Sequence, residues 1–231
     1  MALGKPDPRY THGKKAKANF RLAVKVAFLC LAALWLVFVL DALFGLKLNR
    51  FGLRPGSVPG LIGVVTVPLL HGNLSHIFSN SMSLLVSLTA ILYLYPNASA
   101  RVIPMIWLGS GLLAWLIGRP SLHFGASGFI YGLLAYVFFS GILRRDMRSI
   151  SVSLLVSFLY GSMIWGVLPI RPHMSWELHL SGAIIGVLLA FFYRKWDTVP
   201  VIRYDWEEDD SVPEWYPGDE SKDLDVPEDR R

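Results

Sequence analysis

From residue 22 to residue 193 the chain is a series of apolar runs, separated by short stretches that carry charges, prolines or glycines. Between residues 26 and 193 the only acids are Asp41, Asp146 and Glu177. A charged side chain near a bilayer centre costs several kcal/mol, so charge-poor runs of about 20 residues read as membrane spans. Such runs must be helices, because a helix satisfies every backbone N–H and C=O within its own segment. Six are expected: residues 22–46, 75–95, 102–117, 127–143, 150–168 and 176–193, with Ser175 as the N-cap of the last. The fold class expected is all-α, a polytopic membrane protein built as a six-transmembrane-helix bundle. Apolar residues make up 53% of the sequence and mean hydropathy is +0.45, which excludes an ordinary soluble domain.

The net charge of +5 conceals two ends of opposite sign. Residues 1–20 form a basic arm (Lys5, Arg9, Lys14, Lys15, Lys17), and residues 197–231 form an acidic tail, expected to be disordered, with a cluster at Glu207–Asp210. The domain organisation is therefore 1–20 arm, 21–196 helical domain and 197–231 tail. Six spans put both termini on one side. That side carries the arm, Arg101, Arg144, Arg145, Arg148, Arg194 and Lys195, so the positive-inside rule makes arm and tail cytoplasmic. The arm suits anionic lipid rather than nucleic acid. The first run lacks a small-x-small cleavage site and reads as a retained signal anchor. The single cysteine, Cys30, permits neither an internal disulfide nor a cysteine metal site. The connection over residues 47–73 contains Pro55, Pro59 and Pro68 yet stays apolar, which places it partly in the membrane interface. Asn73-Leu-Ser75 and Asn97-Ala-Ser99 fit the glycosylation pattern and are read as chance matches.

The stretch His123-Phe-Gly-Ala-Ser-Gly-Phe-Ile-Tyr-Gly132 sets Ser127 between small residues at the mouth of the fourth run. A hydroxyl there lies near the positive end of a helix, beside N–H groups that have no intrahelical acceptor. By itself this is also the pattern of an N-cap serine with glycines for close helix packing. Depth favours chemistry. Ser127 precedes Arg144 by 17 residues and His179 precedes Arg194 by 15, roughly 25 and 22 Å at helical rise. Asn80 precedes Tyr95 by 15, again roughly 22 Å, and His76 lies one turn farther out on the same face. Three helices thus carry polar groups to one level of the membrane, where such groups are costly and mark function.

Serine with histidine points to acyl transfer, His179 taking the proton of Ser127. The Ser127 N–H, His76 and Asn80 are the candidate oxyanion donors. No carboxylate completes a triad: Asp41 and Asp146 lie at span ends, and Glu177 is two residues from His179 and so faces away. A dyad is the reading. No His-Glu-x-x-His occurs, and neither a metal nor a cofactor is expected.

Three motifs in order, His76-x-x-x-Asn80, Gly125-Ala-Ser127-Gly128 and His179-x-x-Gly182-x-x-x-Gly186, resemble the signature of rhomboid intramembrane serine proteases over residues 20–195. The resemblance implies an intramembrane serine endopeptidase that cleaves transmembrane protein substrates by a Ser127–His179 dyad, with substrate approaching laterally near the second and fifth spans. His71 and Tyr131 fall at positions that match the family pattern and, with Gly125, Gly128, Gly182 and Gly186, are the site-supporting residues. Six spans and a short arm look like the prokaryotic form, which implies the bacterial inner membrane. Many members carry a Trp-Arg pair in the first long loop, where this chain reads Gly60-Leu-Ile-Gly-Val-Val. The alternative is a non-catalytic relative that binds transmembrane clients. Deleting residues 200–231 is expected to leave proteolysis in detergent largely intact; a folded but inactive truncation would bring the tail into the mechanism.

Overall fold

The computed structural model describes residues 13–144, 147–170 and 174–198. The described residues are helical, and their only bridge between extended segments joins Leu53 to His123. Helix α1 spans Gly13–Phe44, a single turn α2 spans Gly63–Thr66, and α3 spans Leu74–Leu94. They are followed by α4 (Pro96–Ile117), α5 (Ser127–Arg144), α6 (Met147–Tyr160) and α7 (Trp176–Phe192). Five helical stretches are long and apolar enough to cross a membrane. The sixth, α7, has 17 residues, about 25 Å against a hydrocarbon core of about 30 Å.

Several boundaries differ from the sequence reading. The first span begins at Gly13 rather than residue 22, because Lys14, Lys15 and Lys17 are good helix formers that extend it outward. The break expected at Pro96-Asn97 shrinks to one residue, Tyr95, since proline is well suited to the first turn of a helix. The fifth run is not one helix. After Tyr160 it tightens into a 3-10 segment, Gly161–Val167, containing two glycines and ending two residues before Pro169.

The bundle is organised by α5 and α7, whose backbones meet. A Cβ on Gly182 would strike the Gly128 carbonyl oxygen, and one on Gly186 would strike that of Gly132. Without a hydrophobic drive between helices in lipid, such small-residue contact is what holds them. Helix α4 packs against α7, α6 and α3 against α5, and α1 against α3. Ile106, Ile130, Leu133, Tyr136 and Val137, all on α4 and α5, are fully enclosed. Phe28, Leu36 and Leu43 on α1, and Phe158 on α6, are exposed outward. An apolar rim of that extent suits lipid and not water.

The connection before α3 is compact rather than loose. Indole N–H groups of α4 anchor it: Trp107 donates to the Val65 carbonyl and Trp115 to that of Ser57, each at 2.9 Å. Thr66 Oγ1 donates to the Phe51 carbonyl at 2.6 Å, and Gly63 lies too close to the Leu53 backbone to admit a side chain. At the opposite end Asp197 accepts from the Asn97 and Ala98 amides, each at 2.9 Å, capping α4 from the segment that follows α7. Of the two glycosylation-like sites, Asn73 is the N-cap of α3, its Oδ1 accepting from the His76 amide at 2.8 Å.

Gly182→Ala is expected to push α5 and α7 apart at a cost of about 1–3 kcal/mol, read as a lower thermal unfolding temperature in detergent. Gly161→Ala, where an added Cβ meets nothing within 4 Å, serves as the neutral control.

Candidate active site

Ser127 is the first residue of α5, so its N–H is one of the helix-initial amides with no intrahelical acceptor. The preceding turn depends on Gly125, whose φ of +123° is closed to side chains. Its amide donates to the Val67 carbonyl at 3.0 Å. A Cβ on Gly125 would lie 2.6 Å from His76 Cε1 and 2.7 Å from Nε2. The His76 imidazole therefore rests on the backbone two residues before Ser127.

His179 sits in the first turn of α7 and is buried. Its Nε2 is 2.8 Å from Ser127 Oγ and its Nδ1 is 2.9 Å from the Gly166 carbonyl oxygen. A carbonyl oxygen can only accept, so Nδ1 carries the proton of the neutral ring and Nε2 accepts from the serine hydroxyl. Tyr131 stacks on the imidazole with centroids 4.2 Å apart and planes within 6°. The Tyr131 hydroxyl donates to the Met163 carbonyl at 2.8 Å. Both bonds run to the 3-10 segment after α6. In this arrangement a backbone carbonyl fixes the tautomer and orientation of the imidazole.

Asn80, buried on α3, donates from Nδ2 to His71 Nε2 at 3.1 Å, which leaves the second N–H of the amide free for another acceptor. Burial, with His76 beside it, holds the His71 pKa down at about 4, so near neutral pH the ring is an uncharged acceptor for Asn80. His76, Asn80, Ser127 and His179 line one cavity of about 740 Å³, with Leu122, Phe124 and Met174 also in its lining. Gly128 and Gly182 mark the backbone contact that brings Ser127 and His179 to adjacent helices, and Gly186 continues it one turn inward. Of the ten residues singled out in the sequence, His76, Asn80, Ser127 and His179 line this cavity, Gly128, Gly182 and Gly186 lie in the helix contact, and His71, Gly125 and Tyr131 pack against Asn80, His76 and His179 from outside the lining.

The acids lie elsewhere. Glu177 is 1% exposed and pairs with Arg119, Oε1 to Nε 3.1 Å, while Asp41 accepts from the Leu48 amide at 3.0 Å. Asp146 is outside the described residues. Among the described residues no group of three or more His, Cys, Asp or Glu could hold a metal ion.

Gly166 escaped the sequence reading. A Cβ there would collide with the Tyr131 hydroxyl and come within 3.3 Å of His179 Nδ1. The available signal was a glycine pair followed by Pro169 in a run taken as uninterrupted helix, where irregular backbone at membrane depth has to line a cavity.

Comparison with known proteins agrees with this architecture. A family model described as Rhomboid domain matches residues 59–196. An uncharacterized protein of Mycobacterium tuberculosis is 37% identical over 169 residues, 69% of this chain and 70% of the relative. One from Mycobacterium leprae is 34% identical over 199 residues, 80% and 79% of the two chains. A Bacillus subtilis protein bearing the name "Putative rhomboid protease YdcA" is 28% identical over 134 residues, 55% of this chain and 65% of its own. With its apolar helices and the match over residues 59–196, this chain is an integral membrane protein and belongs to the rhomboid family.

Proposed function

We propose that this protein is an intramembrane serine endopeptidase whose substrates are transmembrane proteins, working in a bacterial inner membrane with both termini cytoplasmic. The observation that carries the reading is the 2.8 Å contact between His179 Nε2 and Ser127 Oγ, with Nδ1 committed to the Gly166 carbonyl. A buried imidazole so oriented presents its free lone pair to the serine hydroxyl and can receive its proton.

Ser127 Oγ attacks the scissile carbonyl carbon as its proton passes to His179 Nε2. The negative charge that develops on the carbonyl oxygen is met by the Ser127 N–H, the second N–H of Asn80 and the His76 ring. The imidazolium returns the proton to the departing amine nitrogen, and water then hydrolyses the acyl-enzyme by the reverse route. No carboxylate takes part: the Gly166 carbonyl orients the ring in the place an aspartate fills in a triad. The surrounding lipid receives the outward apolar faces of the helices, and the reaction needs no metal or cofactor.

The test is labelling of the purified protein with a fluorophosphonate probe. Wild type is expected to label, and Ser127→Ala and His179→Ala to lose labelling entirely. A well-folded wild type that neither labels nor cleaves a transmembrane substrate would end the proteolytic reading. Gly166→Ala is expected to slow labelling about tenfold to a hundredfold, because the added methyl displaces Tyr131 and tilts the imidazole from its line to Ser127. A wild-type rate in that variant would show that the close packing of Tyr131 against Gly166 does not hold the base in line.

A further inference from the structure

A second histidine–serine hydrogen bond lies beside the first. His123 Nδ1 is 2.9 Å from Ser175 Oγ. His123 precedes Ser127 by four residues and Ser175 precedes His179 by four, so both pairs span the same 52 residues of sequence. We propose that His123 and Ser175 are positioning residues, which lock the approach to α5 against the start of α7 and thereby set the distance from Ser127 Oγ to His179 Nε2. The proposal rests on the proteolytic reading above.

His123 is built as a fixed point. It is 2% exposed, and its backbone exchanges two hydrogen bonds with Leu53, each 2.9 Å. Its Nε2 lies 3.2 Å from the Arg119 carbonyl. That oxygen can only accept, so Nε2 carries the proton and Nδ1 accepts from the Ser175 hydroxyl. The ring therefore has one orientation and one tautomer. It joins three segments: the 47–73 connection, the loop before α5 and the start of α7.

Ser175 connects this point to the base. It occupies the N-cap position of α7, yet its side chain makes no cap hydrogen bond to its own helix, the usual role of a serine there. Its hydroxyl goes to His123 instead. Its carbonyl accepts the amides of Leu178 and His179 at 3.1 and 3.2 Å, so a shift of Ser175 moves the backbone of the base directly. Arg119 adds a second tie, donating from Nη2 to the Met174 carbonyl at 2.6 Å and pairing with Glu177. The His123–Ser175 contact, four residues before each member of the reacting pair, and the Arg119 tie beside it hold the approach to α5 against the start of α7. The Gly128–Gly182 and Gly132–Gly186 contacts lie inward of the reacting pair, and the His123–Ser175 bond holds its outer side.

The experiment uses the full chain in detergent and the small fluorophosphonate probe, which does not need the substrate's other contacts. The variants are Ser175→Ala, Ser175→Thr, His123→Phe and the double variant Ser175→Ala with His123→Phe. The labelling rate is expected to fall about tenfold or more in Ser175→Ala, as for a sub-ångström misplacement of a reacting pair. It should recover in Ser175→Thr, which keeps the hydroxyl, and fall no further in the double variant than in the worse single one. If His123→Phe fails to fold, the two Ser175 variants decide the matter. A labelled wild type matched in rate by Ser175→Ala overturns the brace and leaves the proteolytic reading standing. Probe recovered on the Ser175 peptide also overturns it, since Ser175 would then be a nucleophile. An unlabelled wild type removes the proteolytic reading first and the brace with it.

Discussion

The backbone contact between α5 and α7 is the constraint on which the other features depend. Gly128 and Gly132 on one helix face Gly182 and Gly186 on the other, and no Cβ fits between them. Lipid offers little hydrophobic reward for bringing helices together, so close approach through small residues takes its place. The same contact sets chemistry. With helix axes this close, a hydroxyl at the start of α5 and an imidazole in the first turn of α7 fall within hydrogen-bond reach without either side chain being stretched. Bulkier residues along the stripe would push the two helices, and with them the two groups, apart.

Around that pair two segments that depart from regular α-helix give backbone carbonyls to side chains. The connection before α3 sends its carbonyls to the indoles of Trp107 and Trp115 and to Thr66. The 3-10 segment after α6 gives the Met163 and Gly166 carbonyls to Tyr131 and His179. Unpaired backbone at membrane depth costs several kcal/mol per group, so both segments are held to their geometry by the side chains they meet. In the second case the satisfaction is reciprocal: the carbonyl gains a donor and the imidazole gains an orientation.

How much of this the sequence could reveal follows from which interactions have a period. Apolar run length and charge scarcity marked the helices, and the spacing of His179, Gly182 and Gly186 put them on one stripe without naming the helix it meets. The depth arithmetic brought His76, Asn80, Ser127 and His179 to one level because helical rise is constant. What has no period stayed hidden. The role of Gly166 comes from a break in a run that hydropathy reads as continuous. Ser175 was legible as an N-cap but not as a partner of His123, since that contact crosses 52 residues. The outward extension of α1 to Gly13 was missed because lysines, read there only as charge, also favour helix.

The capping of α4 by Asp197 has a consequence for where this protein can be cut. Residues 197 and 198 follow the last helix, and by composition they belong with the acidic stretch that begins there. Yet Asp197 supplies the acceptors that the first amides of α4 lack, joined by a third bond from the Asn97 side chain at 2.7 Å. An N-cap of this kind is worth about 1 kcal/mol, with a carboxylate further favoured at the positive end of the helix. Arg101 lies over the Trp196 ring, 4.7 Å from its centroid, on the same junction. The start of α4 is therefore tied to the segment that follows α7, much as a clasp closes a band. A boundary drawn at the last helical residue would open that clasp by removing Asp197.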